Sequence, residues 1–321
     1  MSARFGAMLF AAVLALSASV LNVNAADESA KGLNYEQLGA DWPGLCQTGL
    51  KQSPIDIPSR FLTPYDKPEY EPRFQTLGTA EDSTIFATST LPHVEMFFDR
   101  MSTPMQVTLA ADVDGNIFAP LQGLLPGEGK VKRVGIEPAQ LHFHAPSEAS
   151  VDGNLYDGVI HIVNFVKDGE SAYCDGLKAS GGLGCPAVIG IFLNVDDSIG
   201  SSSLSEMFGT DADILVSQAG KENGVKRPGQ FDLDSLLPNL GSVATLTGSL
   251  TTAPCTEGVF WISLLTPLSV TSKEILQLKQ TIIDVEAPDC AGNEGGCNRF
   301  SDNNRVTQSL NDRTIRIGNA Y

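Results

Sequence analysis

Positive charge is scarce in this 321-residue sequence: 21 Lys and Arg stand against 38 Asp and Glu, a net charge of −17. A surface that acidic repels phosphates, which argues against a nucleic acid or an anionic membrane as partner. Beyond residue 25 no segment approaches the ~18 consecutive apolar residues of a membrane-spanning helix. There is no Cys-x-x-Cys pair, so a cysteine zinc site is not expected. There is no Asn-x-Ser/Thr sequon, so no N-glycosylation is expected. Internal repeats and low-complexity linkers are absent as well. Histidine is rare, with only four in the chain.

What is present begins with a leader. Arg4 precedes an apolar run from Ala7 to Leu21, and Val23-Asn24-Ala25 has the small-x-small form of a cleavage site. Residues 1–25 therefore read as a secretory signal, and 26–321 as the mature chain, with net charge −18 once Arg4 is lost. Six cysteines behind such a leader imply disulfides in an oxidising compartment: outside the cell, a periplasm or an organelle lumen. Many pairings are possible. Proximity favours Cys174–Cys185 and Cys290–Cys297, each closing a Gly-rich loop, which leaves Cys46–Cys255 to tie the start of the chain to its far half.

Apolar residues make up 42% of the chain, enough for one large core. Short β-type runs recur at Glu95–Phe98, Gln106–Leu109, Gln140–His144, Val159–Val166, Val188–Val195, Val259–Leu265 and Thr314–Ile317, separated by Gly, Pro, Asp and Asn. Helical patterns are few: a short one at Ser203–Phe208 and a longer one at Ser272–Ile283. The expected fold is mainly β, one domain with a large, mostly antiparallel twisted sheet and a few short peripheral helices.

Three of the four histidines lie within twenty residues. In Gln140-Leu141-His142-Phe143-His144, the i, i+2 spacing on a strand puts both imidazoles on one face. Asp152-Gly153 is a strong two-residue hairpin signal. Were it to close the hairpin without irregularity, His161 would stand directly opposite His144, about 5 Å away at Cα. Three neutral nitrogens with an open fourth position describe a catalytic rather than a structural zinc site. Zinc held this way lowers the pKa of its water to about 7.

A His-x-His pair alone is not specific. The cupins use one too, followed by a Glu and a later Gly-x-x-His, and His142, His144, Glu148 and Gly158–His161 match part of that pattern. The Gly expected after the Glu is missing, however, and Tyr156 stands where a Pro is usual. Elsewhere the chain resembles the α-class carbonic anhydrases. Gln52-Ser53-Pro54-Ile55-Asp56-Ile57 is similar to their N-terminal signature, Gln140–Phe165 to their metal-binding region, and Gly248–Trp261 to their active-site loop and following strand. Asn303-Asn304-Arg305 and Leu310–Arg313 fit the family's C-terminal end. These matches run in family order over nearly the whole mature chain.

The resemblance implies a carbonate dehydratase that uses Zn2+ to hydrate carbon dioxide reversibly to bicarbonate and a proton. It assigns the metal to His142, His144 and His161, with Gln140 as hydrogen-bond partner of His142. Thr251 and Glu148 become the pair that orients the reacting oxygen. Val163, Val188, Leu250, Val259 and Trp261 become the walls of the substrate pocket, joined by Thr252 and by Tyr35. It also supports the Cys46–Cys255 bridge. Four positions depart from the pattern. Val159 replaces the Glu that usually partners the third histidine, Leu246 replaces a Tyr, and Ala145 replaces a Trp. The usual proton-shuttle His has no clean counterpart, and His93 is the candidate, about three residues out of place. Two other readings remain: a catalytically weak relative that serves as a binding or structural protein, and a cupin-type oxidoreductase with manganese or iron.

Overall fold

The structure is a computed structural model that describes residues 33–88, 93–122, 131–204, 225–238, 241–290 and 302–320. The leader, Cys297 and most of the helical pattern at Ser203–Phe208 lie outside the described residues. The strands in chain order are β1 (Asp56–Ile57), β2 (Thr63–Pro64), β3 (Arg73–Thr76), β4 (Thr79–Thr88) and β5 (His93–Thr103). Then come β6 (Gln106–Ala111), β7 (Lys132–His144), β8 (Ser150–Val151), β9 (Asn154–Leu155) and β10 (Gly158–Val166). The last five are β11 (Pro186–Val195), β12 (Val225–Asp232), β13 (Ser242–Ser249), β14 (Glu257–Val270) and β15 (Arg316–Asn319).

One sheet dominates, with strand order β12-β4-β5-β7-β10-β11-β14-β13-β15-β2. Its pairs are antiparallel except β11–β14 and β15–β2. The centre of the sheet is covered on both faces, so β10 and β11 read as almost unbroken apolar runs. Their alternation still sorts the side chains. Leu141, Phe143, Ile160, Ile162, Ile189, Ile191, Ile262 and Leu264 point into the larger core. Val159, Val188, Phe192, Leu246, Val259 and Trp261 form a smaller cluster with Ile55, Ile57 and Ile315 on the opposite face. His142, His144 and His161 alternate with the first group and so stand on the second face. Each of these fully buried aliphatics contributes roughly 1.5–3 kcal/mol.

The helix Ser272–Cys290 extends the periodic pattern by two turns. It opens on a capping box: Thr271 Oγ1 accepts from Glu274 N at 3.2 Å, and Glu274 Oε2 accepts from Thr271 N at 2.8 Å. Among the described residues two disulfides are present, Cys46–Cys255 and Cys174–Cys185. The third expected pair, Cys290–Cys297, cannot be placed because Cys297 is outside the described residues.

The hairpin register differs from the sequence-based expectation. Asp152-Gly153 does close a tight turn, with φ of 51° and 79° at its two residues. The hairpin it closes is only β8–β9, where Val151 faces Asn154. Residues 145–149 and 156–157 are spent in the connection to a side sheet, β1-β8-β9. The pairing of β7 with β10 therefore slips by two, and His161 faces His142 while Val159 faces His144. An even slip leaves every side chain on its face, so the three imidazoles still meet.

Candidate metal centre

The three imidazole rings have centroids 5.0–5.2 Å apart. Their nearest nitrogens all lie within 4.8 Å of one another. His161 Nδ1 and His142 Nε2 are 3.3 Å apart. Two nitrogens bound to one tetrahedral zinc at 2.0–2.1 Å are separated by about 3.3–3.4 Å. That edge of the coordination figure is therefore already in place.

The far nitrogen of each strand-β7 histidine is tied down. His142 Nδ1 lies 2.9 Å from Gln140 Oε1, and Gln140 Nε2 donates to Glu95 Oε1 at 3.2 Å. His144 Nδ1 lies 2.7 Å from the backbone oxygen of Asn303. Both partners are acceptors, so each Nδ1 carries the proton and each Nε2 presents a lone pair to the shared centre. The donor set thus fits a zinc ion. Gln140 was expected from the sequence; Glu95 and Asn303 were not. Glu95 is 47 residues from His142 in the chain and meets it only through the β5–β7 pairing. Asn303 also accepts from Ala145 N through Oδ1, at 2.9 Å, which fixes the chain just past the metal ligands.

His161 is buried, and burial, followed by the neighbouring His144, holds its pKa well below the usual imidazole value. The unfolded chain binds a proton at this residue below about pH 6.5, whereas the folded chain does not. Stability of the metal-free protein is therefore full above that value and falls with acidification, by up to about 1.4 kcal/mol per pH unit. Denaturant midpoints of the metal-free protein from pH 7.5 to 5 check this; a flat profile would contradict it.

Glu148 is buried beside the triad, with Oε2 3.4 Å from His144 Nε2 and 3.8 Å from His161 Nδ1. Its Oε1 accepts from the backbone N of Arg305 at 3.0 Å, and Oε2 has no hydrogen-bond partner among the described residues. Arg305, which sequence reasoning passed over except as part of a family motif, anchors this corner. Its guanidinium donates to Ser53 O and Gln52 Oε1 at 2.6 and 3.0 Å, and to Cys46 O at 2.7 Å.

Thr251 is buried on the loop between β13 and β14. The loop is held by Leu250 N to Thr256 O at 2.9 Å, by Cys255 N to Thr252 O at 2.8 Å, and by the Cys46–Cys255 bridge. Thr251 and Glu148 make no hydrogen bond to each other. Val163, Val188, Leu250, Val259 and Trp261 all belong to the apolar cluster on the histidine face. The Trp261 ring meets His161 edge-on at 4.9 Å. Thr252 is half-buried beside Thr251. Tyr35 packs instead with Trp42 and the Cys46–Cys255 bridge. Burial, reinforced by the charge of Glu148, raises its phenol pKa well above the ordinary value, with Arg305 acting in the other direction. His93 opens β5, two residues before Glu95.

A profile for eukaryotic-type carbonic anhydrase matches residues 36–319. The chain belongs to this family. A carbonic anhydrase of Nostoc sp. is 30% identical over 286 residues, covering 88% of this chain and 81% of that protein. Among solved structures, a halotolerant carbonic anhydrase from Dunaliella salina shares the fold at a TM-score of 0.63 and 23% identity, covering 90% of this chain and 98% of that one. A Chlamydomonas reinhardtii carbonic anhydrase in complex with acetazolamide gives a TM-score of 0.57 at 24% identity, over 87% and 95% of the two chains. Dioscorin complexed with ascorbate also gives 0.57, at 19% identity, over 86% and 89%. In this chain the three histidines stand on one face of the central strands β7 and β10.

Proposed function

We propose that the protein holds one zinc ion on His142 Nε2, His144 Nε2 and His161 Nδ1 and catalyses reversible hydration of carbon dioxide. The observation that carries this is the 3.3 Å approach of His161 Nδ1 to His142 Nε2, with the outer nitrogens of His142 and His144 committed to fixed acceptors. Zinc, when bound, supplies a nucleophilic oxygen at neutral pH by lowering the pKa of water to about 7, the value established for carbonic anhydrases as a class.

The protein's own groups supply orientation. Glu148 Oε2 has acceptor capacity to spare, which suits it to take the Thr251 hydroxyl proton in a hydrogen bond. Thr251 Oγ1 then offers its lone pair to the reacting oxygen and aims it at the substrate carbon. Val163, Val188, Leu250, Val259 and Trp261 give an apolar wall to a small apolar substrate. In this reading the Thr251 amide donates to a substrate oxygen, Thr252 lines the site, and His93 passes the proton to solvent. The leader and the two disulfides support a secreted or lumenal location.

The test is stopped-flow hydration by the zinc-loaded protein. Chelation should abolish the activity, zinc should restore it, and acetazolamide should inhibit it. Background rates at full zinc occupancy would overturn the reading in favour of a binding protein, a reading that the unformed Thr251–Glu148 bond favours. Bound iron or manganese in place of zinc would favour the cupin chemistry. Thr251→Val should lower kcat/KM about 100-fold with zinc content unchanged, because it removes orientation and not a ligand.

A further inference from the structure

His161 lies in a row that crosses the sheet. It faces Gly190 on β11, and Gly190 in turn faces Ser263 on β14. All three are direct partners and share one face. With no side chain at Gly190, the space between His161 and Ser263 is open. A Cβ built there would lie 3.8 Å from His161 Cδ2 and 3.8 Å from Ser263 Oγ. This space belongs to a cavity of about 20 Å³ whose lining includes Val159, His161, Gly190, Leu246, Ser53 and Ser263. One water needs roughly 10–15 Å³ and two to four polar partners.

The polar partners are present. The Nδ1 side of His161 faces the metal centre, so Nε2 carries the proton and lies on the Cδ2 side, towards Gly190. It makes no hydrogen bond to the protein among the described residues. Ser263 is buried, and its hydroxyl makes none either. Ser53 Oγ accepts from Ser249 N at 3.2 Å and still has its own proton to give. A hydroxyl both donates and accepts, so either serine can complete such a water's bonds.

We propose that Ser263 is the positioning residue for His161, acting through a single water held in this cavity. His161 Nε2–H donates to the water, and the water donates to Ser263 Oγ. This neutral relay fixes the ring plane and the tautomer that leave Nδ1 free for the metal, at a position where Val159 offers no acceptor. The inference rests on the zinc reading above.

The test uses the full mature protein and zinc itself. Ser263→Ala removes the acceptor and should speed zinc release to a chelator about 10-fold or more, the lower end of the range for an outer partner of a metal-ligating histidine. Ser263→Thr, which keeps the hydroxyl, should restore the wild-type rate. The unfolding midpoint of the metal-free Ser263→Ala protein should stay at the wild-type value, which a merely structural serine would not allow. In the wild type, an NMR signal for the His161 Nε2 proton should be protected from exchange, and Ser263→Ala should shift it. Wild-type zinc release from Ser263→Ala, in a protein that is zinc-loaded and active, overturns this inference alone, as does equal acceleration in Ser263→Thr. Failure of the wild type to hold zinc overturns both this inference and the reading on which it rests.

Discussion

Replacing His161 by alanine should strip the protein of zinc and of CO2 hydration together. Among the described residues three nitrogens converge on the centre, and one of them is His161 Nδ1. Removing a hydrogen-bond partner of such a ligand costs about 10- to 100-fold in metal affinity. Removing the ligand itself should cost more than 100-fold, so that dialysis at micromolar zinc leaves the variant empty. Hydration should then fall to background, because the residual pair on β7 cannot enforce a tetrahedral site with one open position. The fold should persist. His161 is held neutral by burial, so alanine leaves no charge unpaired. Metal analysis, circular dichroism and stopped-flow rates on one preparation make the check. A zinc-replete, active His161→Ala protein would show that the metal site lies elsewhere. Gln140→Ala provides the scale: it leaves all three ligands and should lose only the 10- to 100-fold of an outer partner.

Much of this site could be read locally. The i, i+2 pair His142 and His144 needs only a strand to share a face, and His161 needs only the right parity on its neighbour. Parity survived even though the register did not. The length spent in β8, β9 and their flanks is not written in the Asp152-Gly153 signal, yet an even slip moves no side chain across the sheet. The groups that sequence reasoning missed are those brought in by distant chain. Asn303 comes 159 residues after His144, and Glu95 reaches His142 only through β5. The same holds for Ser263, which nothing in its own run of residues distinguishes from a core position. Among the strands, β4 (Thr79–Thr88) and β13 (Ser242–Ser249) escaped because Thr, Ser, Glu and Asp interrupt their apolar alternation. Their strand character comes from the partners on either side, which is how β-propensity commonly acts.

Loss of the Cys46–Cys255 bridge should be the largest single change in stability, and it should separate folding from metal binding. The bridge closes a loop of 209 residues, against 11 for Cys174–Cys185. Loop-closure entropy then assigns about 5 kcal/mol to the first and about 3 kcal/mol to the second. Five is a large share of the 5–15 kcal/mol that holds a domain together. Cys46→Ser with Cys255→Ser should therefore lower the unfolding midpoint of the metal-free protein by roughly 10 °C, and Cys174→Ser with Cys185→Ser by less. The effect should also reach function. Cys255 ends the turn that carries Thr251 and Thr252, and Cys46 O is a contact of the buried Arg305 whose backbone holds Glu148. None of the three histidines lies on the turn from Thr251 to Cys255. The Cys46/Cys255 variant should accordingly keep its zinc at neutral pH while its hydration rate falls, because the groups that orient the reaction are loosened and the ligands are not. Equal losses of zinc and rate would show instead that the loop and the triad form one cooperative unit.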